Sequence, residues 1–380
     1  MRYGSKLLAA VVLAIAFSAR AAAQDAAKPC VPCKSTGRIA CSKHPAAQCA
    51  LEDEVLYCSV VADCPVCGGV GFVACDRCNV AAVREKIENR RKWIHARGPV
   101  LKPIDDKMGR PLRKAETAHF VFTWEMDKLK IDGQLADPHE GLHAYAARME
   151  KTFGDYCSAL GIEGWKLEEK CWVFVWYLPK DQEEASAKFC DGTSPRGITF
   201  LGLNPRYSVC GNKKYFRGDD ELHRNVVHQV SHLLLSHQEP MAWLGERKSG
   251  WADEGLAHWF EEKVSGLCDT YCHHESPEKL DFEGGKYRLG VRKVVAKDTA
   301  PSMVDVTQRN ADGLDAEMNA LSFSYVDYLL SLGGEKFNVL LKKLKDRVPV
   351  RDAVQEIYGV NLMELEARWK AWVLETYPTR

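Results

Sequence analysis

The chain has 380 residues, enough for one large domain or two smaller ones with a sizeable core. Lys and Arg number 52, as do Asp and Glu, so net charge singles out no polyanionic partner. Cysteine is the compositional outlier, with 15 in the chain.

In chain order, residues 1–23 read as an export signal. Arg2 and Lys6 precede the apolar run Leu7–Phe17, and Ala21-Ala22-Ala23 supplies a small-residue cleavage site. The run is too short to cross a bilayer, and no later stretch is long and apolar enough. The other reading of this segment is an uncleaved anchor. Cleavage implies a periplasmic or extracellular protein with no stable membrane insertion.

Residues 28–80 carry one pattern twice. Cys30, Cys33, Gly37, Cys41 and His44 recur, 34 residues on, as Cys64, Cys67, Gly71, Cys75 and Cys78. Both copies read C-x2-C-x3-G-x3-C-x2-[C/H]. The two thiolates of each C-x2-C turn cover half a zinc tetrahedron. His44 in the place of the last cysteine favours metal, because His ligates zinc and forms no bridge. An oxidised disulfide framework is the alternative that export permits.

Cys64-Pro65-Val66-Cys67-Gly68-Gly69-Val70-Gly71 resembles the C-x-x-C-x-G-x-G unit of DnaJ-type cysteine-rich zinc domains. In the first copy Ser35 replaces the first of the two glycines. The resemblance implies a metal-held fold, not chaperone activity. It implies structural zinc, in two sites, on Cys30, Cys33, Cys41, His44, Cys64, Cys67, Cys75 and Cys78. In that family the pairs combine across the sequence; whether each repeat here closes its own site stays open. Protein fills every such metal position, so none is left for a substrate. Cys49 and Cys58 remain, and a disulfide between them is the expectation.

Residues 81–115 form a basic connector. Ala81–Ala96 reads as a helix that Gly98-Pro99, Lys102-Pro103 and Gly109-Arg110-Pro111 then break. A solvated linker helix is preferred to an anionic-surface or nucleic-acid patch, since no interleaved aromatics support base stacking. No nucleic-acid partner is expected.

From 116 to 380 strands come first and helices after, an α+β class. His119–Trp124, Cys171–Leu178 and Gly197–Leu203 read as strands. Gly141–Leu160, Asp219–His237 and Trp251–Glu262 read as helices, and more helices follow.

The helix over 219–237 contains His228-Gln229-Val230-Ser231-His232. Two histidines four apart project from one face and can share a metal. The peptide-cleaving zinc motif is H-E-x-x-H, with the Glu as general base. Gln229 has nearly the shape of Glu but takes no proton from water at neutral pH. Further on, Trp251-Ala252-Asp253-Glu254-Gly255-Leu256-Ala257 resembles the W-x-x-E-G-[LF]-A element of gluzincin metallopeptidases. Ser324–Gly334, Phe337–Leu341 and Tyr358–Trp369 look like the C-terminal helices of the peptidase-MA-like families, so the likeness spans roughly 116–377.

This resemblance implies that Glu254 joins His228 and His232 on one zinc ion with an open fourth position. It offers Tyr325 as an oxyanion stabiliser; a core role is the equal reading. His258 reads as a packed surface histidine, and support of the ligands is its other reading. Glu221, Glu239 and Asp253 are the carboxylates near enough in sequence to replace the missing base. Together the patterns describe an exported zinc-metallopeptidase homologue, impaired at Gln229, that acts as a scaffold holding a peptide or protein ligand. A working metallohydrolase with a displaced base is the alternative.

Overall fold

The computed structural model describes residues 30–43, 55–201, 204–271 and 281–380. The export signal, His44, Cys49 and Cys272 lie outside them.

The two cysteine repeats pair with each other. β1 (Arg38–Ala40) and β3 (Phe72–Ala74) form an antiparallel ribbon in which Ile39 faces Val73, its equivalent in the other copy. The flanking bonds are matched as well: Cys41 N–H donates to Gly71 O, and Cys75 N–H to Gly37 O. The repeats are thus related by a local two-fold. Gly37 and Gly71 both sit at positive φ (75° and 81°), which explains why glycine recurs there.

The main sheet has six strands. They are β2 (Tyr57–Cys58), β4 (Lys114–Glu116), β5 (Phe120–Glu125), β8 (Cys171–Trp176), β9 (Ile198–Phe200) and β10 (Arg206–Cys210). Their order is β2-β4-β5-β8-β10-β9, with β5, β8 and β10 parallel and the outer strands antiparallel. β6 (Leu129–Ile131) and β7 (Gln134–Ala136) make a separate hairpin. Side chains alternate across the sheet, as period two requires. Phe120, Phe122, Trp124, Val173, Val175 and Tyr207 enter the larger core, while Val121, Phe174 and Trp176 enter a smaller one.

The smaller core lies under α1 (Ala81–Met108) and α3 (Pro179–Phe189). Here the structure corrects the connector reading. α1 runs unbroken through Pro99 and Pro103 and buries Ile87, Ile94, Leu101, Ile104 and Met108. An interior proline costs about 3 kcal/mol, whereas each buried large aliphatic contributes about 1.5–3 kcal/mol, so the packed stripe wins. Arg97 of α1 also pairs with buried Glu116, which Lys170 holds from the other side at 2.6 Å.

The larger core takes α2 (Pro138–Leu160), α4 (Asp219–His237), α5 (Gly250–Ser265), α6 (Tyr287–Ala296) and α7 (Met303–Val306), then α8 (Ala316–Ser331), α9 (Gly334–Lys345), α10 (Val350–Tyr358) and α11 (Leu362–Thr376). The fold is α+β, strands first and helices after, as the sequence indicates. No described helix is long and apolar enough to cross a membrane.

Candidate metal centre

α4 is buried along almost its whole length. Asp219, Asp220 and Glu221 fill its first turn, where the helix dipole favours negative charge. Asp219 accepts from Arg148 at 2.7 and 2.8 Å and from the Tyr145 hydroxyl at 2.8 Å, which pins this end to α2. Leu222, Val226, Val230 and Leu233 pack into the core. Polar side chains on so enclosed a helix must find partners.

His228 and His232 find them in α5. His228 Nε2 lies 3.1 Å from His232 Nε2, and Glu254 Oε2 is 3.5 and 3.6 Å from these two atoms. A tetrahedron built on metal–ligand bonds of 2.0–2.1 Å has edges of about 3.3 Å. The three donors therefore form a triangle that can hold a metal ion. Burial opposes ionisation of Glu254, but the two imidazoles outweigh it and hold the carboxyl well below the usual range.

Each imidazole is fixed from behind. His232 Nδ1 lies 2.9 Å from Asp253 Oδ1, and Asp253 Oδ2 accepts from Trp243 Nε1 at 2.6 Å. His228 Nδ1 lies 3.0 Å from Glu261 Oε2. Glu261 Oε1 accepts from the backbone N–H groups of Asp269 and Thr270, both at 2.8 Å. Arg224, one turn before His228, forks onto Asp269 at 2.9 and 2.5 Å and holds that loop in place. Carboxylates behind metal-binding imidazoles set the ring orientation and leave Nε2 facing the ion. Burial raises the Glu261 pKa, yet hydrogen bonds from His228 and His258 outweigh it, leaving the carboxyl at about 2.

The sequence reading of His258 is corrected here. It is fully buried, and its Nδ1 meets Glu261 Oε2 at 2.8 Å. Because His258, Glu261 and His228 also cluster, a second ligand set is geometrically available. The hydrogen-bond lengths and the two backbone donors on Glu261 make it a supporting carboxylate instead.

Gln229, next to His228 on α4, is 4% exposed, and its Oε1 accepts a hydrogen bond from the Thr199 hydroxyl on β9. None of the three carboxylates named as replacement bases takes over that position. Asp253 is committed to His232 and Trp243. Glu221 binds Arg217 and Arg196. Glu239 is exposed, two residues beyond α4. Tyr325 is placed in apolar packing. Its ring stands edge-on to Trp251 and Trp369 at centroid distances of 6.4 and 4.7 Å, beside Met303, Leu329 and Val354. The ring contacts of Tyr325 are with these core aromatics rather than with the triangle.

Gly255 in the W-x-x-E-G element has a packing reason. A Cβ there would stand 2.4 Å from Ser322 O, so only glycine lets α5 lie directly on α8.

The cysteines of the repeats gather across copies. Cys30 and Cys33 join Cys75 and Cys78; Cys41 joins Cys64 and Cys67. Sulfur–sulfur distances are 3.7 Å for Cys30–Cys75, 3.1 Å for Cys33–Cys78 and 3.8 Å for Cys41–Cys64. A disulfide needs about 2.05 Å, and a tetrahedron with 2.3 Å metal–sulfur bonds has edges of about 3.8 Å. These groups can hold metal ions; His44 lies outside the described residues. Cys58 is a free thiol, and Cys49 lies outside.

Sequence reasoning missed Asp253 and Glu261 as supports. The spacing of Glu261 from Glu254, two helical turns, was the available signal. No family model, curated protein or solved structure matches the chain, so the gluzincin and DnaJ-type likenesses rest on the residues that carry them.

Proposed function

We propose that the chain is an exported zinc-metallopeptidase homologue that holds a peptide or protein ligand at a zinc site and hydrolyses it poorly. The triangle of His228 Nε2, His232 Nε2 and Glu254 Oε2, together with an amide rather than a carboxylate at position 229, carries this reading. A zinc ion held by His228, His232 and Glu254 would supply Lewis acidity for hydrolysis of a peptide bond. The protein's own part is to orient the imidazoles through Asp253 and Glu261 and to keep Glu254 ionised. What it lacks is a proton acceptor at position 229. General-base catalysis is worth about 10²–10⁴-fold, so loss of that group leaves binding with little turnover. Two further zinc ions in the cysteine clusters are structural, in keeping with the DnaJ-type likeness.

Incubation of the zinc-loaded full chain with a defined set of synthetic peptides, read by mass spectrometry, tests this. Peptides retained intact and released by a chelator are expected. Rapid cleavage by the natural chain would establish the displaced-base alternative, and no zinc-dependent retention would remove the ligand-holding role.

A further inference from the structure

α2 carries a second pair of histidines one helical turn apart. His139 and His143 lie in its first two turns, just after the Asp137 capping box. Their Nε2 atoms are 3.1 Å apart and their ring centroids 4.9 Å apart. His228 and His232 show the same two values. The spacing alone would mean little, because histidines at i and i+4 on an exposed helix face meet by geometry.

A third donor arrives from a different part of the chain. Cys58, on the edge strand β2, places its Sγ 3.4 Å from His139 Nε2, 81 residues away in sequence. All three donor atoms lie within 4.8 Å of one another. Zinc bound at 2.3 Å to sulfur and 2.0–2.1 Å to nitrogen sets nitrogen–nitrogen edges of about 3.3 Å and nitrogen–sulfur edges of about 3.5 Å. Both observed separations fit that frame. Cys58 is buried and free, and both histidines are half-buried.

We propose that Cys58, His139 and His143 bind a zinc ion, separate from the cysteine clusters of the repeats and from the triangle on α4. A thiolate with two imidazoles is a donor set suited to zinc. These residues supply three corners of the tetrahedron, and the fourth is left to water. The role of this ion is to tie β2, which lies between the two cysteine repeats, to the start of α2. It thereby fastens the repeat-bearing segment, whose β2 already pairs with β4, to α2 as well. The site does not depend on the reading of Gln229.

Zinc per chain, measured by mass spectrometry on full-length protein purified under reducing conditions, tests the proposal. The natural chain is expected to hold about one zinc more than Cys58→Ser and than the His139→Gln/His143→Gln pair. Equal zinc in the natural chain and in either folded variant overturns it. Because Cys58 is buried, its variant can fail to fold. Anomalous scattering at the zinc edge from crystals of the natural chain covers that case. A peak between Cys58 Sγ and the two Nε2 atoms supports the site, and no peak there in excess zinc overturns it. A Cys49–Cys58 disulfide found in the natural chain under reducing purification overturns it too.

Discussion

His232 Nδ1 and Asp253 Oδ1 lie 2.9 Å apart, and this bond turns Nε2 of the imidazole toward Glu254. Asp253 is the neighbour of Glu254 on α5, so one helical turn supplies both a corner of the triangle and the carboxylate behind another corner. Glu261 does the same for His228 two turns later. The metal triangle is therefore assembled by the packing of α4 on α5.

Removing these supports weakens the site without touching a ligand. Asp253→Asn and Glu261→Gln are each expected to lower zinc affinity at this site about 10–100-fold. Competition with a chromophoric chelator measures it. The cysteine clusters should titrate unchanged in the same experiment, and an unchanged affinity at the α4 site would show that the two carboxylates serve only folding.

The contact between α5 and α8 is equally specific. Gly255→Ala puts a methyl 2.4 Å from Ser322 O, which is backbone and cannot step aside. Overpacking of this kind costs about 1–3 kcal/mol. A matching drop in the urea midpoint is expected, with weaker zinc binding because Glu254 moves with the helix. A variant as stable as the natural chain would contradict the close packing.

The start of α4 has a pH signature. Burial opposes ionisation of Asp219, but the Arg148 fork and the Tyr145 hydroxyl outweigh it and hold the carboxyl below its usual range. A depressed folded-state pKa contributes stability that is complete above the unfolded value of about 3.9 and is lost as pH falls through the folded value. Asp219→Asn should therefore cost about 2–3 kcal/mol at neutral pH, somewhat less than a fully buried pair, and progressively less below about pH 4. Denaturation at several pH values reads this out; a cost independent of pH would contradict it.

The crossing of the repeats makes a double-mutant prediction. Cys33 and Cys75 belong to different copies but to one cluster, whereas Cys33 and Cys41 belong to one copy but to different clusters. Cys33→Ser with Cys75→Ser should lose no more zinc than either alone. Cys33→Ser with Cys41→Ser should lose about twice as much. The opposite pattern would mean that each repeat closes its own site.

Some of this was legible in the sequence and some was not. The helix over 219–237 matches α4 end to end, because its apolar spacing and acidic first turn are local signals. The likeness of Trp251–Ala257 led to Glu254 for the same reason. Three features needed the third dimension. β10 and β4 are short, and each also pairs with a strand far off in the chain, β10 with β8 and β4 with β2. α1 survives two prolines because a buried stripe that local rules do not weigh outweighs them. The His139 and His143 pair gains meaning only when β2 brings Cys58 alongside.

The central claim concerns Gln229, whose Oε1 accepts from Thr199 while its neighbour His228 supplies one corner of the triangle. Peptide hydrolysis by the zinc-loaded natural chain beside Gln229→Glu tests it most directly. The account predicts a gain of about 10²–10⁴-fold in the variant with zinc content unchanged, from restoring a proton acceptor at that place. Equal rates in the two chains, at equal zinc, would contradict it.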